Sequence, residues 1–240
     1  RQKMDTTQPR FVDKPPMLAG VGLGPAEVLY SKSSDDWLKR AQRAGIQQML
    51  LSNGLKVNLV PIGGEPQRAS VRLYVPGGRM LESMESPGSV MLGSRTIQEG
   101  GAFGSTTREA VELFCIDHMV MVDIQATEEA LIFDFQSVTT PGPGGIVTGI
   151  EAVMQVAHVI MTDFLYEADA FERAKQGFHE QYDSVVKGLE TFCQHSLTLS
   201  LTGGDARYSS PTHGQIDALS LETCEKALRA QLDPATCDVS

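Results

Sequence analysis

The sequence predicts an α+β fold in which an antiparallel-rich sheet carries helices packed on one face. Strand patterns are concentrated before residue 139, whereas the long helical patterns follow residue 145. The first strand runs are separated by Asn53-Gly54, a strong hairpin signal because both residues tolerate positive φ. Strands that pair early, followed by helices, therefore indicate a layered α+β domain.

Five segments carry the strand signal. In residues 71–75 apolar and polar side chains alternate, which predicts a strand with one buried face. A turn at Thr127–Glu129 joins the last two strands, and residues 238–240 look like the start of a further strand. The five predicted strands are Met49–Leu51, Leu55–Val60, Val71–Val75, Met119–Gln125 and Ala130–Val138.

Capping signals place the first two helices. Ser86 with Pro87 in the first turn predicts a helix that ends at Gly100-Gly101. Thr106 and Glu109 have the spacing of a capping box, and the helix after them carries an apolar face from Val111 to His118. After a Pro/Gly-rich break at 140–145, helices are predicted over residues 146–163, 168–187, 190–201 and 220–232.

Composition limits the classes of function. The formal net charge is −10 and the isoelectric point about 5.0, which argues against nucleic-acid binding and is compatible with a basic peptide partner. The apolar runs are too short for a membrane span, and the amino-terminal residues show no signal peptide. The cysteines are widely spaced, which predicts reduced thiols; they are Cys115, Cys193, Cys224 and Cys237.

The chain divides into two regions. Residues 1–45 are rich in proline and glycine and are expected to form an extended arm or interdomain linker with a short helical patch around residues 36–43. Residues 46–240 are expected to form one domain, cut at its carboxyl-terminal strand. Both ends suggest a piece of a longer protein.

The residues offer no evident catalytic constellation. Neither H-x-x-E-H nor H-E-x-x-H occurs, and the glycine pairs lack phosphate-loop spacing. Two helical pairs approach a metal site: Cys115 with His118, which fits a core face better, and His179 with Asp183, which fits a solvated pair better. Arg207-Tyr208 could touch a peptide, although such loop pairs are mostly structural. By elimination, the sequence favours a binding or architectural module.

Several anchors resemble the insulinase/pitrilysin family of zinc peptidases. They are residues 51–57 (LSNGLKV), 77–82 (GGRMLE), the Pro87-Gly88 and Gly100-Gly101 pairs, and 171–175 (FERAK). Working members carry H-x-x-E-H on the first helix. The matching positions here read Met91-Leu92-Gly93-Ser94-Arg95, so Met91, Ser94 and Arg95 replace the motif residues. Glu172 falls near the third zinc ligand of active members, on the helix at 168–187.

The resemblance implies one quarter of a four-domain clamshell, with zinc held in the first domain of the parent protein and no cofactor in this chain. The other domains of the same polypeptide would be its partners. Residues 95–101, 105–115 and 204–212 are similar to the third domain of the branch that removes transit peptides in the chloroplast stroma. That implies a non-catalytic domain forming chamber wall and inter-half packing, with basic precursor peptides as possible partners. The alternatives are a scaffold subunit without proteolysis and an enzyme using unrecognised residues.

Overall fold

The computed structural model describes residues 45–60, 67–100, 106–140 and 148–240. The predicted arm lies outside this part except for Gly45, as do the glycine pair at 63–64 and most of the break at 140–145. The assignment of an arm and a domain therefore stays a prediction.

Within the described residues, six strands form one sheet in the order β1-β2-β6-β3-β5-β4. β2 and β6 run parallel, and the other neighbours are antiparallel. The predicted antiparallel-rich sheet is confirmed. The strands are β1 (Gln47–Leu50), β2 (Lys56–Leu59), β3 (Arg68–Pro76), β4 (Met121–Ala126), β5 (Ala130–Val138) and β6 (Asp238–Val239).

The first hairpin forms where Asn53-Gly54 predicts it. Gly54 has a φ of +87°, and Asn53 Oδ1 accepts a hydrogen bond from Leu55 N at 3.1 Å. A Cβ atom on Gly54 would lie 2.9 Å from Ala235 Cα. Position 54 therefore requires glycine for two reasons: its positive φ and the close approach of the segment that leads into β6.

The carboxyl-terminal strand enters the middle of the sheet. β6 lies between β2, to which it is parallel, and β3. Ser240 N donates to Arg72 O at 2.9 Å, and Arg72 N donates to Ser240 O at 2.6 Å, which extends this pairing to the last residue. The sequence signal for a strand at residues 238–240 is confirmed, but its place between two early strands is a tertiary result.

Seven α-helices are described. They are α1 (Ser89–Gly100), α2 (Arg108–Asp117), α3 (Gly149–Thr162), α4 (Ala168–Lys187), α5 (Leu189–Leu201), α6 (His213–Ala218) and α7 (Leu221–Arg229). Two short 3-10 helices cover Gly78–Leu81 and Ala206–Tyr208. The prediction missed α6, which is only six residues long and lies between loops rich in turn residues.

Two predicted caps are wrong. α1 begins at Ser89, three residues after the predicted cap Ser86, because the buried carboxylate of Glu82 accepts the helix-start amides instead. In α2 the cap is Thr107, whose hydroxyl accepts from Ala110 N; because Ala110 has no polar side chain to bond back, the box predicted from Thr106 and Glu109 is replaced by a simple cap. Complete capping boxes occur at Thr148/Glu151 and Thr212/Gln215, where no box was predicted.

The core lies between one face of the sheet and the helical layer. The inward side chains of β5 are Leu131, Phe133 and Phe135, each at most 1% exposed. α3 covers them with Val153, Val156 and Ile160, and each such burial contributes about 1.5–3 kcal/mol. The opposite face is polar, with Arg72 bonded to Asp134 by two hydrogen bonds of 2.6 and 2.8 Å. The expected placement of helices on one face is confirmed.

Helix α1 lies at the centre of the helical layer, where it contacts α4, α7 and β4. At the contact with α7, a Cβ atom on Gly93 would lie 2.3 Å from Leu228 Cδ1 and 3.1 Å from the carbonyl oxygen of Cys224. The two helices therefore approach more closely than a larger residue allows. In the described part of the chain, the helices are too short or too polar to cross a membrane.

Candidate functional site

The positions that the family resemblance assigns to the zinc motif lie on α1, where their side chains make structural contacts. Met91 is half-buried, and the buried Ser94 hydroxyl donates to the carbonyl oxygen of Met91 at 2.8 Å. Arg95 is exposed and forms an ion pair with Glu99 one helical turn later, at 2.8 Å. The side chains at these positions are thus a thioether, a hydroxyl bonded to its own helix and a paired guanidinium.

An ion-pair cluster joins α1 to α4 beside these positions. Arg173 Nη2 donates to the carbonyl oxygen of Glu99 at 3.1 Å, and its Nε lies 3.9 Å from the Glu99 carboxylate. Glu172, next to Arg173, is exposed. Two guanidinium groups at this contact repel a divalent cation and offer it no lone pair. The residues present therefore do not fit the catalytic zinc that the resemblance implies for active domains.

The start of α1 is held by a buried carboxylate. Glu82 Oε2 accepts from Gly88 N at 2.7 Å and Oε1 from Val90 N at 2.9 Å, and its side chain is 0% exposed. Burial raises the pKa of Glu82, against the opposing effect of these amides and of Arg79. Arg79 lies 3.9 Å from the carboxylate and donates to the carbonyl of Ser209 at 2.8 Å. This cluster fixes α1 to the chain before α6.

The loop residues Arg207 and Tyr208 are engaged in the same region. Arg207 Nη1 donates to the carbonyl oxygen of Met80 at 2.9 Å, and its Nη2 pairs with Asp205 at 2.7 Å. The Tyr208 hydroxyl donates to Met80 Sδ at 3.0 Å. These contacts tie the loop to the 3-10 helix at Gly78–Leu81, which accords with the structural alternative for this pair.

The first helical pair considered for metal binding is held in packing. His118 is 8% exposed and packs against Phe114 with the rings tilted by 33° and their centroids 4.3 Å apart. Its Nδ1 contacts the carbonyl oxygen of Phe114 at 2.9 Å. Burial raises the pKa of Cys115 to about 11, so its thiol stays protonated at neutral pH. His118 itself caps the end of α2 rather than continuing it.

The second pair is part of a four-residue cluster that the sequence did not reveal. His179 and Asp183 on α4 are both solvated, as predicted, with side chains 29% and 47% exposed, but each bonds to a residue of α6 and not to the other. His179 Nε2 donates to Asp217 at 3.1 Å, and His213 Nε2 donates to Asp183 at 2.8 Å, both across to α6. The only sequence signal was the shared i, i+4 spacing of His179/Asp183 and His213/Asp217.

The two imidazoles of this cluster face each other. Their Nδ1 atoms are 2.6 Å apart, and the rings stack with centroids 4.9 Å apart. Lys187 bonds to the second oxygen of Asp183 at 2.9 Å, and this bond, with that of His213, holds the pKa of Asp183 below its usual range. The cluster lines a groove of about 480 Å³ between α4 and α6.

Comparisons with known proteins agree with this fold. The chain is 33% identical over 199 residues to the chloroplastic stromal processing peptidases of Arabidopsis thaliana and Pisum sativum. The match covers 83% of the chain but only 15% of each relative's length. No protein-family model matches the chain.

Solved peptidase structures share the architecture. The periplasmic protease PqqL from Escherichia coli superposes with a TM-score of 0.66 at 14% identity, over 81% of this chain and 20% of that one. A peptidase M16 inactive domain from Pseudomonas fluorescens gives 0.66 at 13% identity, over 81% of this chain and 45% of that one. The chain carries an insulinase-type domain similar to stromal processing peptidase.

This insulinase-type domain thus has the fold of M16 peptidase domains. In the described residues, no group of three or more His, Cys, Asp or Glu side chains converges as a metal site. That no residue of the chain is catalytic stays a prediction.

Restoring the two histidines tests whether α1 and α4 correspond to the family's zinc-bearing helices. The double variant Met91→His, Arg95→His would place two imidazoles one turn apart on the helix that contacts α4, which carries Glu172. We expect about one zinc ion per chain beyond the parent's content, measured by metal analysis after dialysis, since catalytic zinc sites are held by three protein ligands. Arg95→His alone, with one imidazole fewer, should add none. An unchanged zinc content of the double variant would contradict the residue correspondence.

Proposed function

We propose that this chain is a non-catalytic domain of a zinc metalloendopeptidase of the stromal processing type, acting in the chloroplast stroma. It forms chamber wall and packs against the other half of the enzyme, while zinc is bound in another domain of the same polypeptide. The chief support is that the sequence similarity to a processing peptidase runs through α1, where the chain carries Met91 and Arg95 at the positions that the family resemblance assigns to zinc ligands.

An exposed apolar helix supports the packing role. No residue of α5 is buried, and four large apolar side chains on this helix are 47–83% exposed. They are Leu189, Phe192, Leu197 and Leu201. A helix that is apolar but unburied requires a covering surface. Since the chain spans about 15% of its relatives' length, another domain of the same polypeptide supplies that surface in this proposal.

The acidic balance supports a role for basic precursor peptides. The net charge of −10 would attract transit peptides, which are rich in arginine and poor in acidic residues. Such long-range attraction acts on the rate and extent of peptide capture and is screened by salt. In this proposal the domain contributes electrostatic attraction to the chamber rather than a catalytic group.

The decisive experiment uses the whole polypeptide and a precursor protein. We expect Leu197→Glu on α5 to lower the cleavage rate roughly tenfold, because a charge placed in a domain contact costs on the order of 1–3 kcal/mol. Gln181→Glu, on an exposed polar position of α4, should leave the rate unchanged, as should Arg95→Ala. Thermal melting of each variant checks that folding is intact.

Other outcomes discriminate the alternatives. A full polypeptide that binds zinc and cleaves the precursor equally well with Leu197→Glu contradicts the packing role of α5. A polypeptide that neither binds zinc nor cleaves any precursor favours the peptidase-derived scaffold. Loss of cleavage with Arg95→Ala, while folding stays intact, would point to unrecognised chemistry on α1.

A further inference from the structure

The Asp–His–His–Asp cluster between α4 and α6 brings two histidine nitrogens to one point, with an aspartate behind each ring. Each helix contributes a histidine and, four residues later, an aspartate. The contacts cross over: His179 bonds to Asp217 of the other helix, and His213 bonds to Asp183. Each imidazole is therefore fixed at its Nε2 by a carboxylate, and each presents its Nδ1 to the same point between the helices.

The hydrogen bonds of the cluster determine where its protons lie. Both Nε2 atoms must carry hydrogen, because a carboxylate only accepts. In the tautomers that these bonds require, each Nδ1 atom presents a lone pair to the same point, and the two atoms are 2.6 Å apart. Two facing lone pairs repel unless a cation lies between them, and Asp183 and Asp217 place negative charge beside that point.

We propose that His179 and His213 are the protein ligands of a binding site for a divalent transition-metal ion such as Zn²⁺, which lies between their Nδ1 atoms. Solvent completes the coordination from the groove. The aspartates orient the imidazoles, as carboxylates commonly do behind metal-bound histidines.

The two imidazole rings can accommodate the metal ion after a small movement. A tetrahedral ion with Zn–N bonds of about 2.0–2.1 Å separates its two nitrogens by about 3.3–3.4 Å. The rings therefore need to part by less than about 1 Å from their present contact. Both side chains can do so, since His179 is 29% and His213 46% exposed. The groove of about 480 Å³ leaves room for water ligands.

Ligand chemistry selects the class of metal. Neutral imidazole suits Zn²⁺, Cu²⁺ and Ni²⁺, whereas Mg²⁺ and Ca²⁺ require oxygen ligands. Asp183 and Asp217 are already bonded to the imidazoles, and Asp183 also to Lys187, so they are not free to form a calcium site. The charges balance: two carboxylates and Lys187 surround a divalent ion without leaving a large excess of either sign.

This site differs from the catalytic position of the peptidase family. Glu172, at the place of the third zinc ligand, and His179 lie seven residues apart on α4, or about 10 Å along the helix. The proposed ion would join α4 to α6 rather than face α1. It would thus fasten the segment after the Arg207 loop, and its effect would be on stability and not on peptide hydrolysis.

The test is a titration of the chelator-treated 240-residue chain with Zn²⁺, followed by equilibrium dialysis and metal analysis. We expect one zinc per chain and a rise in melting temperature, with His179→Gln and His213→Gln each weakening binding at least tenfold. Asp217→Asn, which keeps both imidazoles, should weaken it roughly tenfold. His195→Gln on α5 is the matched control and should bind as the parent does.

A second measurement does not depend on the variants folding. In the parent chain, the imidazole nitrogen resonances should show that Zn²⁺ binds at the Nδ1 atoms of His179 and His213. Binding of Ca²⁺ as strong as that of Zn²⁺ would overturn the proposal in favour of an acidic groove. So would a chain that retains no zinc, or zinc-shifted resonances confined to other histidines.

Discussion

Replacing Glu82 by alanine should lower the free energy of unfolding by about 3–5 kcal/mol, as loss of one partner of a buried ion pair commonly does. The substitution leaves the amides of Gly88 and Val90 without their acceptor and Arg79, whose side chain is 5% exposed, without its counter-charge. Urea unfolding followed by circular dichroism measures the loss. Glu85→Ala, at an exposed position of the same loop, should change stability by less than about 0.5 kcal/mol.

The pH dependence of this effect follows from the direction of the pKa shift. Burial raises the pKa of Glu82 in the folded state, so the folded state binds the proton more tightly than the unfolded state does. The contribution of Glu82 to stability is therefore fully present below the ordinary carboxyl pKa and decreases as the pH rises through the folded-state value. The parent's advantage over Glu82→Gln should be larger at pH 4 than at pH 8. The reverse order would contradict the shift.

Replacing Gly93 by alanine should destabilise the domain by about 1–3 kcal/mol, although alanine is the better helix former. The new Cβ atom would lie 2.3 Å from Leu228 Cδ1 and 3.1 Å from the Tyr166 hydroxyl. Leu228 is 0% exposed, so it cannot move away without disturbing the core. α1 would have to move away from α7, and the packing between these two helices would be loosened.

Gly177 provides a matched control for this substitution. It lies within α4, and a Cβ atom on it would meet nothing within 4 Å. Gly177→Ala should therefore stabilise the domain by about 0.5–1 kcal/mol through helix propensity alone. The same chemical change is thus expected to have opposite signs at the two sites, measured by urea unfolding of each variant. Equal effects would mean that the α1–α7 contact does not limit side-chain size.

Much of the fold could be predicted because its signals are local. Turn chemistry located the first hairpin at Asn53-Gly54, and hydrophobic periodicity gave α4 its bounds, Ala168–Lys187. The helix caps could not all be predicted, since a side chain outside the expected capping position can accept the first amides of a helix. Glu82 does this at α1, six residues before the amide of Gly88 that it accepts.

The candidate sites also include one feature that contiguous residues reveal and one that only the packing of helices creates. The resemblance predicts from the sequence that Met91 and Arg95 stand where the zinc motif would be, because that segment and its flanking glycines are contiguous. The cluster of His179 with His213 is not visible in the sequence, since its partners are separated by 34 residues. Their meeting depends on how α6 packs on α4, and the sequence showed only the isolated pair of His179 and Asp183.

The sequence by itself determined the class of fold and the similarity to a peptidase family, because each rests on residues close together in the chain. Only the tertiary structure decided that β6 enters between β2 and β3, that Arg173 bonds to α1, and that two histidines meet across α4 and α6. These are contacts between distant segments, and they form only when burial of the apolar core brings the segments together.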